Sequence, residues 1–199
     1  YADVKLSLQV IEDNDVVDGS LSVDGTLVFS DLDENSNYES SYTKKAGTIG
    51  NLELSIVSNP NGGELNWTYS VNNTDVDYLG EGEVKEEVFT IKIEDKDIDG
   101  NLLGTFSEQE ITVIVKGTND GPVAVADTAS VNENASVTVD VLSNDTDKDI
   151  GHIFTLDSVS VPVNQGAVSI VDGKLVFNAN TDFDDLIEGE TEEVVVSYT

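Results

Sequence analysis

Three stretches of the sequence place carboxylates on alternate residues: Asp31-Leu32-Asp33-Glu34, Glu94-Asp95-Lys96-Asp97-Ile98-Asp99-Gly100-Asn101 and Asp145-Thr146-Asp147-Lys148-Asp149. Carboxylates this close repel one another unless a cation sits among them. Calcium takes six to eight oxygens at about 2.3–2.6 Å in irregular geometry, so loops of alternating Asp with Gly and backbone carbonyls suit it, and magnesium is stricter. Zinc and copper prefer His or Cys, and the chain has one His and no Cys. Ca2+ is therefore the cofactor these clusters fit. The other reading is a set of solvated turns in which Asp and Asn cap their own backbone. Residue types alone leave both open.

The rest of the composition narrows the field. Among 199 residues, 40 Asp and Glu face 9 Lys and Arg, a formal charge of −31, and every one of the nine cations is a lysine. So negative a chain without arginine is not expected to bind nucleic acid or an anionic membrane. No apolar run approaches the roughly 20 residues of a membrane-spanning helix, so no membrane insertion is expected. Without Cys there is no disulfide, structural zinc site or thiol nucleophile. The opening at Tyr1, without Met or a leader-like segment, reads as a piece of something longer.

The acidic loops must be positioned by strands. Residues 4–10, 87–93 and 110–115 alternate apolar and polar, the period-2 pattern of a strand with one buried face. Further strands read at 20–29, 51–57, 64–71, 136–142, 167–171 and 174–178. Asn61-Gly62-Gly63 and Asp172-Gly173 lie between apolar runs, as hairpin turns do. No window of eleven residues carries a helical stripe. The pattern predicts an all-β sandwich and argues against a disordered acidic chain. In an antiparallel sandwich, successive turns alternate between the two ends. Asp31, Asp33 and the loop at 94–101 then share one end. Glu12, the Glu81-Gly82-Glu83 turn and the Asn119-Asp120 exit share the other.

The chain also resembles itself. Leu79-Gly80-Glu81-Gly82-Glu83-Val84-Lys85-Glu86-Glu87-Val88 aligns with Leu186-Ile187-Glu188-Gly189-Glu190-Thr191-Glu192-Glu193-Val194-Val195 at an offset of 107 residues. Trp67-Thr68-Tyr69 aligns with Leu175-Val176-Phe177, and Ser30-Asp31-Leu32-Asp33 with Asn144-Asp145-Thr146-Asp147. Two tandem sandwiches follow, residues 1–121 and 122–199, each unit the size of a seven-strand domain. Lys92 maps onto Thr199, so the second copy lacks the counterpart of residues 93–120, a final strand included. A sandwich without that strand exposes unpaired backbone on one sheet and part of its core. Either the natural chain continues or a strand from elsewhere completes the sheet. The first is the expectation, and the second domain is expected to be the weaker.

Gly117-Thr118-Asn119-Asp120-Gly121-Pro122-Val123 resembles the GTNDxPV junction of bacterial cadherin-like and VCBS repeats, which recur in large RTX-type adhesins. The Gly-Glu-Gly-Glu at 80–83, Asp97-Ile98-Asp99-Gly100 and the run 141–149 resemble the same pattern, while Ile150-Gly151-His152 departs from a further Gly-Asp common in the family. The resemblance implies a Greek-key, cadherin- or immunoglobulin-like sandwich, and calcium at the junction between repeats. It implies ligands from Glu12, from Glu81 or Glu83, from Asn119 and Asp120, and from Asp145, Asp147 and Asp149. Asp31, Asp33, Asp95, Asp97 and Asp99 would serve a preceding junction, and Glu133, Glu188 and Glu190 a following one. The function implied is a calcium-rigidified spacer, a monomer whose partners are the neighbouring repeats. It would stand at the bacterial cell surface and project a ligand-binding tip in adhesion and biofilm formation. The alternative is a calcium-dependent module that binds a polysaccharide or a peptide.

Catalysis is not expected. His152 stands apart from any Ser or Cys nucleophile context, and nothing selects one glycosidase-like carboxylate pair from forty acids. Trp67 and Tyr69 are expected in the core. Tyr38, Tyr42 and Tyr78 read as lying in or near loops, available for surface contacts.

Overall fold

A computed structural model describes residues 6–32 and 37–199. These residues form thirteen strands and one 3-10 turn. They divide into two compact units: Tyr1–Asp120 with Lys148–Ile150, and Gly121–Asp147 with Gly151–Thr199. The molecule is all-β, built of immunoglobulin-like sandwiches.

In the first unit the strands are β1 (Leu6–Ile11), β2 (Val16–Val17), β3 (Ser20–Ser30), β4 (Asn37–Lys44), β5 (Asn51–Asn59), β6 (Gly62–Asn72), β7 (Val84–Lys96) and β8 (Leu102–Lys116). They make two four-stranded sheets, ordered β1-β8-β7-β4 and β2-β3-β6-β5. β1 runs parallel to β8, while β2 pairs antiparallel with β3 in the other sheet, so the first strand changes sheets at residues 12–15. The remaining ladders are antiparallel.

Alternation dictates the core. Leu65, Trp67, Tyr69 and Val71 of β6 point inward, against Phe89 and Ile91 of β7 and Ile111, Val113 and Val115 of β8, all buried. Each such side chain stabilises the fold by roughly 1.5–3 kcal/mol. Tyr69 sits edge-on to Phe89 at 5.8 Å, which adds directionality to the packing. One inward position is charged. The fully buried Glu87 accepts hydrogen bonds from the backbone N–H groups of Ile49 (2.8 Å) and Gly50 (2.7 Å), anchoring the loop between β4 and β5.

β4 corrects the reading of the tyrosines. Its sequence, Asn-Tyr-Glu-Ser-Ser-Tyr-Thr-Lys, lacks aliphatic residues and so carries no apolar alternation. Its half-buried face is nevertheless Tyr38, Ser40 and Tyr42. Tyr38 packs edge-on against Phe29 at 4.8 Å and Tyr42 against Phe89 at 5.8 Å, while Tyr78 packs on the core from the segment after β6. These rings are part of the sandwich, not an exposed platform.

The second unit has β9 (Ser136–Val139), β10 (Val159–Ser160), β11 (Ala167–Val171), β12 (Lys174–Asn178) and β13 (Ser197–Tyr198). Its sheets are β11-β12-β9 and β10-β13. Leu175 and Phe177 of β12, the counterparts of Trp67 and Tyr69, lie in its core with Val141, Leu156, Ala179 and Phe183. β9 stops three residues short of its expected end, because Val141 is buried from within a turn rather than from the strand. Residues 126–131 and 191–196 belong to no sheet.

Candidate metal centre

Where β1 leaves its sheet, the chain turns through Glu12 and Asp13. Glu12 N–H donates to the Lys116 carbonyl at 3.0 Å, and Ile11 N–H donates to Asp15 Oδ2 at 3.0 Å. Asp13 adopts a left-handed conformation, φ 56°, which Asp tolerates better than most residues. Its carboxylate accepts from Asn73 Nδ2 at 2.6 Å, pinning the turn to the 3-10 segment Asn73–Asp75. This geometry drives the Glu12 side chain inward until none of it is exposed.

The exit of β8 supplies the next residues. Thr118 N–H donates to Glu12 Oε1 at 3.0 Å, and Glu12 Oε2 is buried with no hydrogen-bond partner. Gly117 permits the approach. A Cβ there would lie 2.4 Å from the carbonyl oxygens of both Leu79 and Gly80, inside backbone that has nowhere to move. Asp120 N–H donates to Asp149 Oδ2 at 3.1 Å. Asp149 comes with Lys148–Ile150, the short segment that belongs to the first unit. Ile150 N–H holds that segment by donating to the Tyr78 carbonyl at 3.1 Å.

One carboxylate oxygen each from Glu12, Asp120 and Asp149 lie within 4.8 Å of one another, the only such group among the described residues. Lys148 Nζ stands at 3.2 Å from both Asp77 and Asp120 and offsets part of the charge, and its own pKa is raised by those two hydrogen bonds. Burial pushes the Glu12 carboxyl above the usual carboxylate range. The Thr118 N–H opposes that shift, and the charges of Asp13, Asp77 and Asp120 reinforce it. An all-oxygen donor set around a buried, half-satisfied carboxylate fits a hard divalent cation of the calcium type.

The other residues singled out from the sequence lie elsewhere. Glu81 and Glu83 are exposed. Glu83 Oε2 accepts from Gly80 N–H at 3.2 Å, closing its own turn around Gly82 (φ 83°). Glu190 does the same with Ile187 N–H around Gly189 (φ 90°). The repeated Gly-Glu motif is thereby accounted for as turn chemistry. Asn119 is exposed and donates to the Asp120 carbonyl. Asp145 serves the second unit, accepting from Val125 N–H at 2.8 Å and from the Tyr198 hydroxyl at 3.1 Å. Asp147 lies 3.3 Å from His152 Nδ1. Asp31 accepts from Tyr38 at 3.2 Å and Asp95 from Thr105 at 2.9 Å. Asp97 is the acceptor at the centre of its turn, taking N–H groups of Asp99 and Asn101. The Asn101 side chain and backbone hold its carboxyl below the ordinary range. Asp99 is exposed, and Asp33 lies outside the described residues. Sequence reasoning passed over Asn73, Asp77 and Lys148. The alternate acids of Asp75-Val76-Asp77 were the available signal for the second.

Residues 119–199 match the bacterial Ig domain family. That segment, less than half of the chain, contains the whole second unit, and the Ig-like grouping is broader than the cadherin-like or VCBS repeat. A solved structure titled "Structure of the N-terminal domain of PorA" is 13% identical, covers 57% of this chain and 87% of its own, and superposes with a TM-score of 0.28. No curated protein matches the chain. No helix among the described residues is long and apolar enough to cross a membrane.

Proposed function

We propose that the chain is a pair of calcium-stiffened extender domains from a bacterial surface adhesin, with no catalytic role. The observation that carries this reading is Glu12. It is a fully buried carboxylate whose Oε2 has no hydrogen-bond partner, within 4.8 Å of carboxylate oxygens from Asp120 and Asp149. Folding has assembled like charges there, and a divalent cation would relieve them.

Connectivity gives the cation something to do. Asp149 lies on a three-residue segment grouped with the first unit, and the chain on both sides of it belongs to the second. A calcium ion held by Glu12, Asp120 and Asp149 would fix that segment, and with it the freedom of the chain between the units. Extracellular modules bind calcium at about 10⁻⁴–10⁻³ M, so such a site fills outside a cell and empties in a cytosol. The acidic surface then keeps successive domains soluble and apart. The GTND-type junction at 117–120 and the bacterial Ig-domain match over 119–199 support the same reading.

The test is calcium titration calorimetry with small-angle scattering on the whole chain. Saturable binding that Asp120→Ala with Asp149→Ala abolishes, together with a calcium-dependent narrowing of the particle's conformational spread, is expected. Equal flexibility with and without calcium would remove the stiffening role.

A further inference from the structure

The short segment Lys148–Ile150 carries an acid and a cation side by side. Asp149 is buried, while the Lys148 side chain is 55% exposed. Its Nζ stands 3.2 Å from Asp77 Oδ2 and 3.2 Å from Asp120 Oδ1. All of these residues belong to the first unit. Asp120 is thereby divided between two tasks. Its Oδ1 takes the ammonium, and its Oδ2 is buried with no hydrogen-bond partner, as Glu12 Oε2 is.

The two acids that hold the ammonium are not equivalent. Asp120 belongs to the group of three within 4.8 Å, and Asp77 does not. Asp77 is fixed independently: its Oδ1 accepts from Asn73 Nδ2 at 2.6 Å, and its backbone N–H donates to the Asn73 carbonyl at 3.0 Å. The backbone beside Lys148 is fixed too, by Ile150 N–H on the Tyr78 carbonyl and by Asp120 N–H on Asp149 Oδ2, both at 3.1 Å. What can move is the lysine stem, four flexible carbons ending in a compact charge with three donors. A calcium ion bound to Asp120 at about 2.3–2.6 Å would stand roughly 5–6 Å from an ammonium on the same carboxylate. A unit charge that near a divalent ion weakens its binding about tenfold even at the dielectric of water.

We propose that Lys148 is a tethered counter-cation that competes with calcium for Asp120. It bridges Asp77 and Asp120 in the metal-free chain and withdraws to Asp77 when calcium binds. The role rests on calcium binding at Glu12, Asp120 and Asp149. Asp77 makes the exchange reversible, because it keeps hold of the ammonium while Asp120 is released. Without metal, the acids retain a counter-charge, so this end of the first unit stays folded where calcium is scarce. With metal, the lysine raises the calcium concentration at which the site fills by about tenfold over the same acids alone. Lys148 thus sets affinity without being a ligand.

The test compares the whole natural chain with Lys148→Met and Lys148→Arg, at about 0.15 M salt so that distant charges are screened. In calorimetric titration with calcium, K148M is expected to bind about tenfold tighter than the natural chain. K148R, which keeps the charge, is expected to stay within about threefold of it. In chelator the order reverses: K148M is expected to melt about 2–4 °C below the natural chain, and K148R close to it. The NMR shift of the Asp120 carboxyl carbon is expected to respond to K148M in chelator and not at calcium saturation. Equal calcium affinity of K148M and the natural chain would overturn the competition. Weaker binding by K148M would overturn it too, making Lys148 a positioning residue for Asp149. K148R binding as tightly as K148M would remove charge as the cause, and an Asp120 response at calcium saturation would overturn the withdrawal. Calcium binding by none of the three chains would overturn the calcium reading itself, and the proposal with it.

Discussion

Replacing Glu12 by Gln separates two effects of opposite sign. The side chain keeps its shape and the hydrogen bond from Thr118, but one of three clustered charges disappears. Two unit charges within 4.8 Å repel by about 3.5 kcal/mol at an effective dielectric of roughly 20. Water at the open side and the Lys148 ammonium reduce the net relief to about 1–2 kcal/mol. In chelator at neutral pH, E12Q is therefore expected to melt a few degrees above the natural chain. The pH dependence has a definite sign. The folded-state pKa of Glu12 lies above its ordinary value of 4.5, so its contribution to stability is fully present below that value and lost as pH rises through the folded pKa. The advantage of E12Q should thus vanish near pH 4 and grow towards neutrality. Calcium reverses the order. At a hundred times the dissociation constant, bound cation stabilises the natural chain by about 2.7 kcal/mol, and E12Q is expected to gain far less. Scanning calorimetry of both chains from pH 4 to 8, in chelator and in 10-millimolar-scale calcium, reads all of this. A lower melting temperature for E12Q in chelator at pH 7 would refute the charge argument, and an equal calcium gain would refute Glu12 as a ligand.

Gly117→Ala drives a methyl group against two backbone oxygens, and is expected to destabilise the first unit by about 1–3 kcal/mol in urea unfolding, with weakened calcium binding as Thr118 and Asp120 shift. Glu87→Ala leaves the buried N–H groups of Ile49 and Gly50 without their acceptor; a loss of about 2–4 kcal/mol is expected by the same measurement, and a smaller loss for Glu87→Gln. Asp97, held below the ordinary carboxylate range by Asn101, contributes stability above its unfolded pKa that is lost as pH falls through the folded value. Carboxyl chemical shifts followed by NMR should show its late titration, and Asn101→Ala should move it back up.

Alternation alone set out most of the strands, because a residue's face in a sheet depends only on parity. β6, with Leu65, Trp67, Tyr69 and Val71 inward, is legible for that reason. β4 is not: its inward face is two tyrosines and a serine, whose burial depends on partners in other strands, Phe29 and Phe89. The internal repeat was also legible, since it is a property of the string. It set the expectation of two tandem sandwiches, residues 1–121 and 122–199.

The sequence by itself determined that the chain is all-β, repeated and strongly acidic, because composition and period need no third dimension. Only the tertiary structure decided which acids meet. Glu12, Asp120 and Asp149 are separated by 108 and 29 positions, and they converge because the turn after β1, the exit of β8 and the segment at 148–150 reach one end of one unit. The acidic run around Asp97 instead satisfies that carboxylate within its own turn. Local density of charge is a fact about the chain. Desolvation of a charge without a partner, which gives a carboxylate its affinity for metal, arises only from packing.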